Sequence, residues 1–221
     1  MTVGNTQIMG VPGTGAGMDI LFENPSGATT GKLFPTGNMT DTLYPTGYDP
    51  IRATLVDCSN PVMMLKASDL GLDGAEIETF LNDGELLKHI EAIRSQAAVL
   101  YGFVERPEDA TEHSLAQPKV AILSKSHDYI GSDGEVITGN EMDICSRIIS
   151  VGSFHKTHPI TSGIAIAAAA HFPGTIAAEM AADTREENLL KIGHPCGIMP
   201  IRIYFNHTEV LKAGTIRTAR R

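Results

Sequence analysis

The sequence predicts an α+β fold, and three observations carry that prediction. Strand-like segments come in pairs around two helical segments, without the regular strand–helix alternation of a doubly wound sheet. Residues 164–170 are all small or branched and apolar, which describes a helix buried on every side. The 22 glycines and 12 prolines fall largely in turn signals that cut the rest of the chain into short pieces.

Taken in order, residues 1–50 carry turn signals at Pro12-Gly13, Pro25-Ser26-Gly27, Pro35-Thr36-Gly37 and Pro45-Thr46-Gly47. Short strands are expected between them at 18–22 and 32–34. Residues 51–57 and 61–66 read as two strands joined by Cys58-Ser59-Asn60, and 68–81 as a short helical stretch. Residues 84–101 form the best surface helix: Leu86, Ile90, Ile93, Ala97 and Leu100 make one apolar stripe. Glu85, Lys88, Glu91 and Arg94 supply its solvated face, where Glu91 and Arg94 can pair weakly. A polar loop over 104–117 is expected next, then a strand at 119–124, an excursion over 126–140 and a strand at 142–151. The buried helix follows, with Thr161 and Ser162 as N-cap residues, Gly163 opening its first turn and Pro173-Gly174 stopping it. Strands near 189–192, 198–205 and 215–220 close the chain.

Composition narrows the function. With 26 acidic against 17 basic residues the net charge is -9. The only basic cluster is the final Arg220-Arg221, so nucleic acid and anionic membrane surfaces are excluded as expected partners. No apolar run approaches the ~18 residues of a membrane span, and the first residues lack the pattern of a signal peptide. Cys58, Cys145 and Cys196 form neither a disulfide framework nor a zinc-ligand spacing, which points to a reducing, cytoplasmic compartment.

Nucleotide motifs fail on inspection. Gly27-Ala28-Thr29-Thr30-Gly31-Lys32 is one residue short of a phosphate-binding loop, and Leu33 stands where a magnesium-binding hydroxyl belongs. Gly13-Thr14-Gly15-Ala16-Gly17 lacks the dinucleotide glycine spacing. His155 and His158 have no convincing third ligand nearby, so no metal is expected. His194, in Gly193-His194-Pro195-Cys196-Gly197, sits in a turn and reads as structural. Cys145 reads as buried and inert. What remains is the start of the buried helix, where unpaired N–H groups at the positive end of the dipole can cradle a carboxylate or phosphate. His155 lies close enough in sequence to reach whatever is held there.

Several segments together resemble the methylaconitate isomerase (PrpF-like) family, whose fold is that of diaminopimelate epimerase. They are Val11-Pro12-Gly13-Thr14-Gly15-Ala16, Phe22-Glu23-Asn24-Pro25-Ser26-Gly27, Thr30-Gly31-Lys32-Leu33-Phe34-Pro35-Thr36-Gly37 and Val56-Asp57-Cys58-Ser59-Asn60-Pro61. Further along come Ile93-Arg94-Ser95-Gln96-Ala97-Ala98, Arg147-Ile148-Ile149-Ser150-Val151-Gly152, His155-Lys156, Thr161-Ser162-Gly163, Pro173-Gly174-Thr175, Gly193-His194-Pro195 and Arg217-Thr218-Ala219-Arg220-Arg221. Order and approximate spacing agree along nearly the whole chain.

The resemblance implies two pseudo-symmetric lobes, each a curved, mostly antiparallel sheet wrapped around a central buried helix, with substrate between them. It implies an allylic proton shift in an unsaturated di- or tricarboxylate such as methylaconitate, aconitate or oxalomesaconate, with no metal or organic cofactor. The family's N-terminal portion carries an Arg-Gly-Gly-Thr-like loop, a lysine and a cysteine thought to move the proton, and this chain opens near the end of that lobe. Residues 1–34 are then expected to be remnant strands of the first lobe, 35–200 the second lobe and 201–221 C-terminal return strands. Expected substrate-binding residues are Thr161, Ser162, Gly163 and Ile164, with His155 and Asn60 as walls. The proton-transfer groups are not among the matched positions. A homodimer is expected to cover the exposed lobe face, and the rival expectation is a non-catalytic polycarboxylate-binding or assembly protein.

Overall fold

A computed structural model describes residues 4–77, 82–183 and 187–219. Its strands are β1 (Thr6–Ile8), β2 (Val11–Glu23), β3 (Asp41–Leu43), β4 (Ile51–Cys58), β5 (Asn60–Lys66), β6 (Lys119–Lys125), β7 (Tyr129–Ile130) and β8 (Val136–Ile137). They continue with β9 (Ile144–Ser150), β10 (Ser153–Phe154), β11 (Leu189–His194), β12 (Gly197–Asn206) and β13 (Glu209–Ala219). The helices are α1 (Gly84–Leu100), α2 (Ala110–His113), α3 (Ile160–Ala170) and α4 (Ile176–Met180). No helix among the described residues is long and apolar enough to cross a membrane.

One eleven-stranded sheet runs β1-β2-β13-β12-β11-β9-β6-β5-β4-β3, with β10 added on β9. Only β5–β6 and β9–β11 pair in parallel; the rest of this sheet is antiparallel, as the paired strands of the sequence anticipate. The sheet wraps α3, all of whose residues from Ser162 to Ala170 are buried. Val56, Val62, Met64, Ala121, Leu123, Ile144 and Ile148 line one side of α3, and Ile192, Met199, Ile201 and Ile203 the other. Alternate residues of the same central strands, Leu55, Met63, Leu65, Val120 and Ile122, face outward onto Ile90, Ile93 and Ala97 of α1. Central strands covered on both faces explain their near-continuous apolar runs.

Several local expectations need correction. Residues 32–34 are bends rather than strand, because 27–34 fold back over the end of β4. The Gly-rich turn there is filled by the chain's own carboxylate: Asp57 Oδ2 accepts from Thr29 N (2.8 Å), Thr30 N (2.6 Å) and Thr30 Oγ1 (2.9 Å). Of the helical stretch expected over 68–81, the described residues form only a 3-10 turn at Ala67–Leu70. Gly71 at φ 72 ends it, residues 71–77 are irregular, and 78–81 lie outside the described residues. The loop over 104–117 contains α2, which folds against α1.

That packing also overturns the weak surface pair expected on α1. Arg94 is 3% exposed, its Nε and Nη2 donate to Glu91 Oε2 (2.7 Å) and Oε1 (2.6 Å), and its Nη1 donates to the carbonyls of Ser114 and Gln117. Finally, β12 and β13 are interior strands, since β12 lies between β11 and β13 and β13 between β12 and β2. Among the described residues β1 pairs with residues 11–15 of β2 alone, and Met18, Ile20 and Leu21 are exposed.

Candidate functional site

The α3 helix starts two residues earlier than its side chains suggest. Pro159 is the N-cap, extended at φ -65 and ψ 134, with no side-chain cap bond. Proline pre-sets the φ of a chain entering a helix, and its carbonyl accepts the N–H of Gly163 at 3.1 Å. Thr161 and Ser162 are therefore inside the first turn, not capping it. Among the described residues nothing accepts the N–H groups of Ile160, Thr161 and Ser162. The Ser162 hydroxyl is fully buried and also without a partner. Such a group is costly unless something hydrogen-bonds to it.

Gly163 and Ile164 contribute differently. The Gly163 N–H is spent on Pro159, and Ile164 falls in the regular helical ladder. Gly163 has a packing reason to be glycine: a Cβ there would stand 2.6 Å from Met199 Cε and 3.1 Å from Ile201 Cδ1. The missing side chain lets α3 close onto β12.

Charged and titratable groups gather around this turn. Arg217, opposite Met18 in the β13–β2 register, reaches Met199 Sδ with Nη2 at 3.6 Å, and Met199 lies against Gly163. The Met199 thioether thus lies between the guanidinium and the first turn of α3. Among the described residues Arg217 has no acidic partner, and burial lowers its pKa.

His158, immediately before the N-cap, is 5% exposed. Its Nδ1 lies 3.0 Å from the Pro159 carbonyl and its Nε2 3.0 Å from Ser146 Oγ on β9. A carbonyl requires a donor, so Nδ1 carries the proton and Nε2 accepts from the serine. Burial, then the neighbouring His194, push the His158 pKa down to about 3. His194, with ring centroid 6.1 Å from that of His158, is pushed down to about 4 by burial and by Arg147 and Arg217. Its Nδ1 accepts the N–H of Cys196 at 3.3 Å, a bond within the β11–β12 turn. Both imidazoles are neutral at pH 7.

His155 is half-buried, and its Nδ1 accepts the N–H of Thr157 at 3.2 Å. In the neutral ring the proton then sits on Nε2. Cys196 is partly exposed, with Sγ donating to the Lys156 carbonyl at 3.2 Å; Cys58 and Cys145 are buried. Asn60 lies at the start of β5, where its side chain bonds to the Pro61 carbonyl (3.2 Å) and to Gln117 Nε2 (3.5 Å). Those contacts belong to the β4–β5 turn and not to the first turn of α3. No group of three His, Cys, Asp or Glu residues suited to a metal occurs among the described residues.

Sequence reasoning found the region of the α3 start, two residues late, but missed Arg217, Ser146 and Arg147 as its neighbours. Arg147 had a visible signal: it is the one charged residue inside the otherwise uncharged strand Ile144–Ser150.

The chain is 37% identical over 220 residues to a 3-methylitaconate isomerase of Eubacterium barkeri, covering 99% of this chain and 58% of that protein. It is 30% identical over 202 residues to a 2-methyl-aconitate isomerase of Shewanella oneidensis, covering 90% and 50%. The crystal structure of a methylitaconate-delta-isomerase superposes with a TM-score of 0.91 at 36% identity, over 100% of this chain and 57% of the other. The chain thus spans about half the length of the curated relatives it matches. A curved sheet around a buried helix, shared with that crystal structure, and a match of residues 1–221 to the model described as PrpF protein together show that the chain belongs to the PrpF family.

Proposed function

We propose that this chain forms a carboxylate-binding lobe of a PrpF-type isomerase, which migrates a double bond in an unsaturated di- or tricarboxylate by an allylic proton shift. Methylitaconate, methylaconitate, aconitate and oxalomesaconate are the candidate substrates. One observation carries the reading. The buried, unpartnered Ser162 hydroxyl stands beside the open N–H groups of Ile160, Thr161 and Ser162, with Arg217 alongside. A carboxylate would satisfy all of these donors at once.

In such a reaction a base removes a proton from the carbon allylic to the double bond. The electron pair shifts toward the conjugated carboxylate as a dienolate, and a proton returns at the far carbon, with no net oxidation. Donors fixed before the reaction stabilise the charge that develops. In this lobe the α3 first turn and Arg217 serve that purpose, and His155 offers Nε2–H to a second carboxylate.

We read residues 1–34 and 201–221 as strands shared with a first lobe, supported by the pairing of β2 with β13, and residues 35–200 as the second lobe. A cytoplasmic location fits the three free cysteines.

The second reading is binding without turnover. It is favoured by the state of the imidazoles: His158 and His194 are committed to internal bonds, and His155 presents a donor rather than a base. Calorimetric titration of the 221-residue chain with trans-aconitate and tricarballylate tests binding, and proton NMR of methylitaconate and trans-aconitate tests isomerisation. Binding that falls about fivefold in Ser162→Ala, the loss of one hydrogen bond of about 1 kcal/mol, is expected. No binding at millimolar ligand would sink the proposal. Binding without double-bond migration would select the second reading.

A further inference from the structure

Arg147 is the largest fully buried side chain, at 1% exposure, and it has no carboxylate partner among the described residues. Its Nε donates to the Glu76 carbonyl (2.8 Å), and Nη1 donates to the carbonyls of Ser146 (3.0 Å) and Gly193 (3.4 Å). Its guanidinium lies over the Tyr129 ring, 4.6 Å from the centroid. Nη2 is buried with no partner. A buried cation held only by carbonyls and a ring face is costly, so its surroundings should show what its charge serves.

Those surroundings are the underside of the α3 site. Tyr129 Oη donates to the His194 carbonyl (2.8 Å) and lies 3.4 Å from that of Gly197. Gly193 leaves no room for a Cβ between Tyr129 Oη and Met142 Sδ. Arg147, Tyr129 and Gly193 therefore clamp the β11–β12 turn from below. On the other face of β9 the adjacent Ser146 bonds to His158, which bonds in turn to the α3 N-cap. The chain from Arg147 to the first turn of α3 is continuous.

We propose that Arg147 is a positioning residue for the carboxylate site: without touching the ligand it holds the His194–Gly197 turn in place and supplies a standing positive charge beneath the α3 N-terminus. The inference rests on that first turn binding polycarboxylate. In a medium of low dielectric a full charge acts over several ångströms, and it adds to the helix dipole and to Arg217. His194 reports the same field, since the charges acting on it are those of Arg147, Arg217 and His155, with His158 adjacent.

The test uses Arg147→Lys, Arg147→Met and Tyr129→Phe in the 221-residue chain. Affinity for tricarballylate, glutarate and butyrate is measured by calorimetry, and the imidazoles are titrated by NMR. Arg147→Met should weaken tricarballylate about tenfold, glutarate less and butyrate least, because the effect scales with ligand charge. Arg147→Lys should restore most of the loss. Tyr129→Phe keeps the charge and should weaken the three ligands by a similar factor, through the turn alone. A uniform loss across the ligands in Arg147→Met, or Arg147→Lys as poor as Arg147→Met, would overturn the charge role.

Should Arg147→Met not fold, Arg147→Gln, which removes the charge but keeps a donor for the carbonyls, takes its place and is read against Arg147→Lys in the same way. The His194 titration is independent of ligand: its midpoint should rise on losing the Arg147 charge and stay put in Arg147→Lys. An unchanged midpoint in a folded Arg147→Met overturns the inference even if the site binds well. Absent ligand binding in the unsubstituted chain would instead count against the function proposed above.

Discussion

Acidification should destabilise this protein well before its carboxylates protonate, because two neutral imidazoles are sealed beside α3. His158 is held down to about 3 and His194 to about 4, in each case chiefly by burial, against an unfolded value near 6.5. A lowered folded pKa means that the unfolded chain binds more protons between the two values. The stabilisation is then complete above about pH 6.5 and is lost as the pH falls toward 3 to 4. At pH 5 each unfolded imidazole lies about 1.5 units below its midpoint, which costs about 2 kcal/mol apiece. The pair together costs about 4 kcal/mol, less the part of the His158 shift that arises from charge on His194 and would be counted twice.

Two protons taken up on unfolding give a slope of about 2.7 kcal/mol per pH unit near pH 5. That is a large fraction of the roughly 5–15 kcal/mol that holds a typical domain folded. His89, lowered by burial, adds with the same sign. Urea unfolding at pH 8, 6.5, 5.5 and 5 should show the midpoint constant above pH 7 and falling steeply below 6. His194→Asn, which keeps an acceptor for the Cys196 N–H, should roughly halve the slope. A flat profile from pH 8 to 5, or imidazole signals titrating near 6.5 in the folded state, would refute the account of both side chains.

Three further outcomes are expected. Ala168→Glu places an unpaired carboxylate at a fully buried position of α3 and should cost several kcal/mol or more, so a soluble variant with wild-type urea midpoint would contradict the burial of this helix. Arg94→Met strips Glu91 of its cation, leaving it the Thr111 hydroxyl, and removes one of two donors from each of the Ser114 and Gln117 carbonyls; a loss of about 3 kcal/mol is expected, read as a lower urea midpoint, whereas a loss below about 1 kcal/mol would mark the pair as an ordinary surface one. We also propose a homodimer that buries Met18, Ile20 and Leu21 on the open stretch of β2; sedimentation should show a dimer that Ile20→Lys dissociates, and a monomer at high micromolar concentration would refute it.

The legible parts of this fold are those where one residue type has one physical use. A run of alanine and isoleucine with no polar face can only be enclosed, and it predicted both the helix and its burial. Alternation failed to mark the central strands because both their faces are covered, so 51–57 and 142–151 were read from continuous apolarity and end within a residue or two of the observed bounds. The helix start was misread because Thr161 and Ser162 are good caps in isolation, whereas Pro159 takes the cap position and bonds through its carbonyl alone. Arg94 was assigned to solvent because its burial depends on residues 110–117 folding back over α1, which no local pattern announces.

The same distinction separates the two halves of the candidate site. The α3 donors are local, so their sequence signature survives: a short polar turn before an apolar helix. Arg217 approaches them across Met199 from a strand fifty-odd residues later, Arg147 and Ser146 lie behind them on an earlier one, and each is recognisable only once the sheet has closed. His158 belongs to both classes. Its place next to Pro159 is local, but its neutrality follows chiefly from burial, and then from the neighbouring His194, once the sheet has closed. Groups whose protonation state is set by the closed sheet are the ones a pH titration of folding will report, and for that reason the acid profile tests the geometry around α3 more sharply than any change within α3 itself.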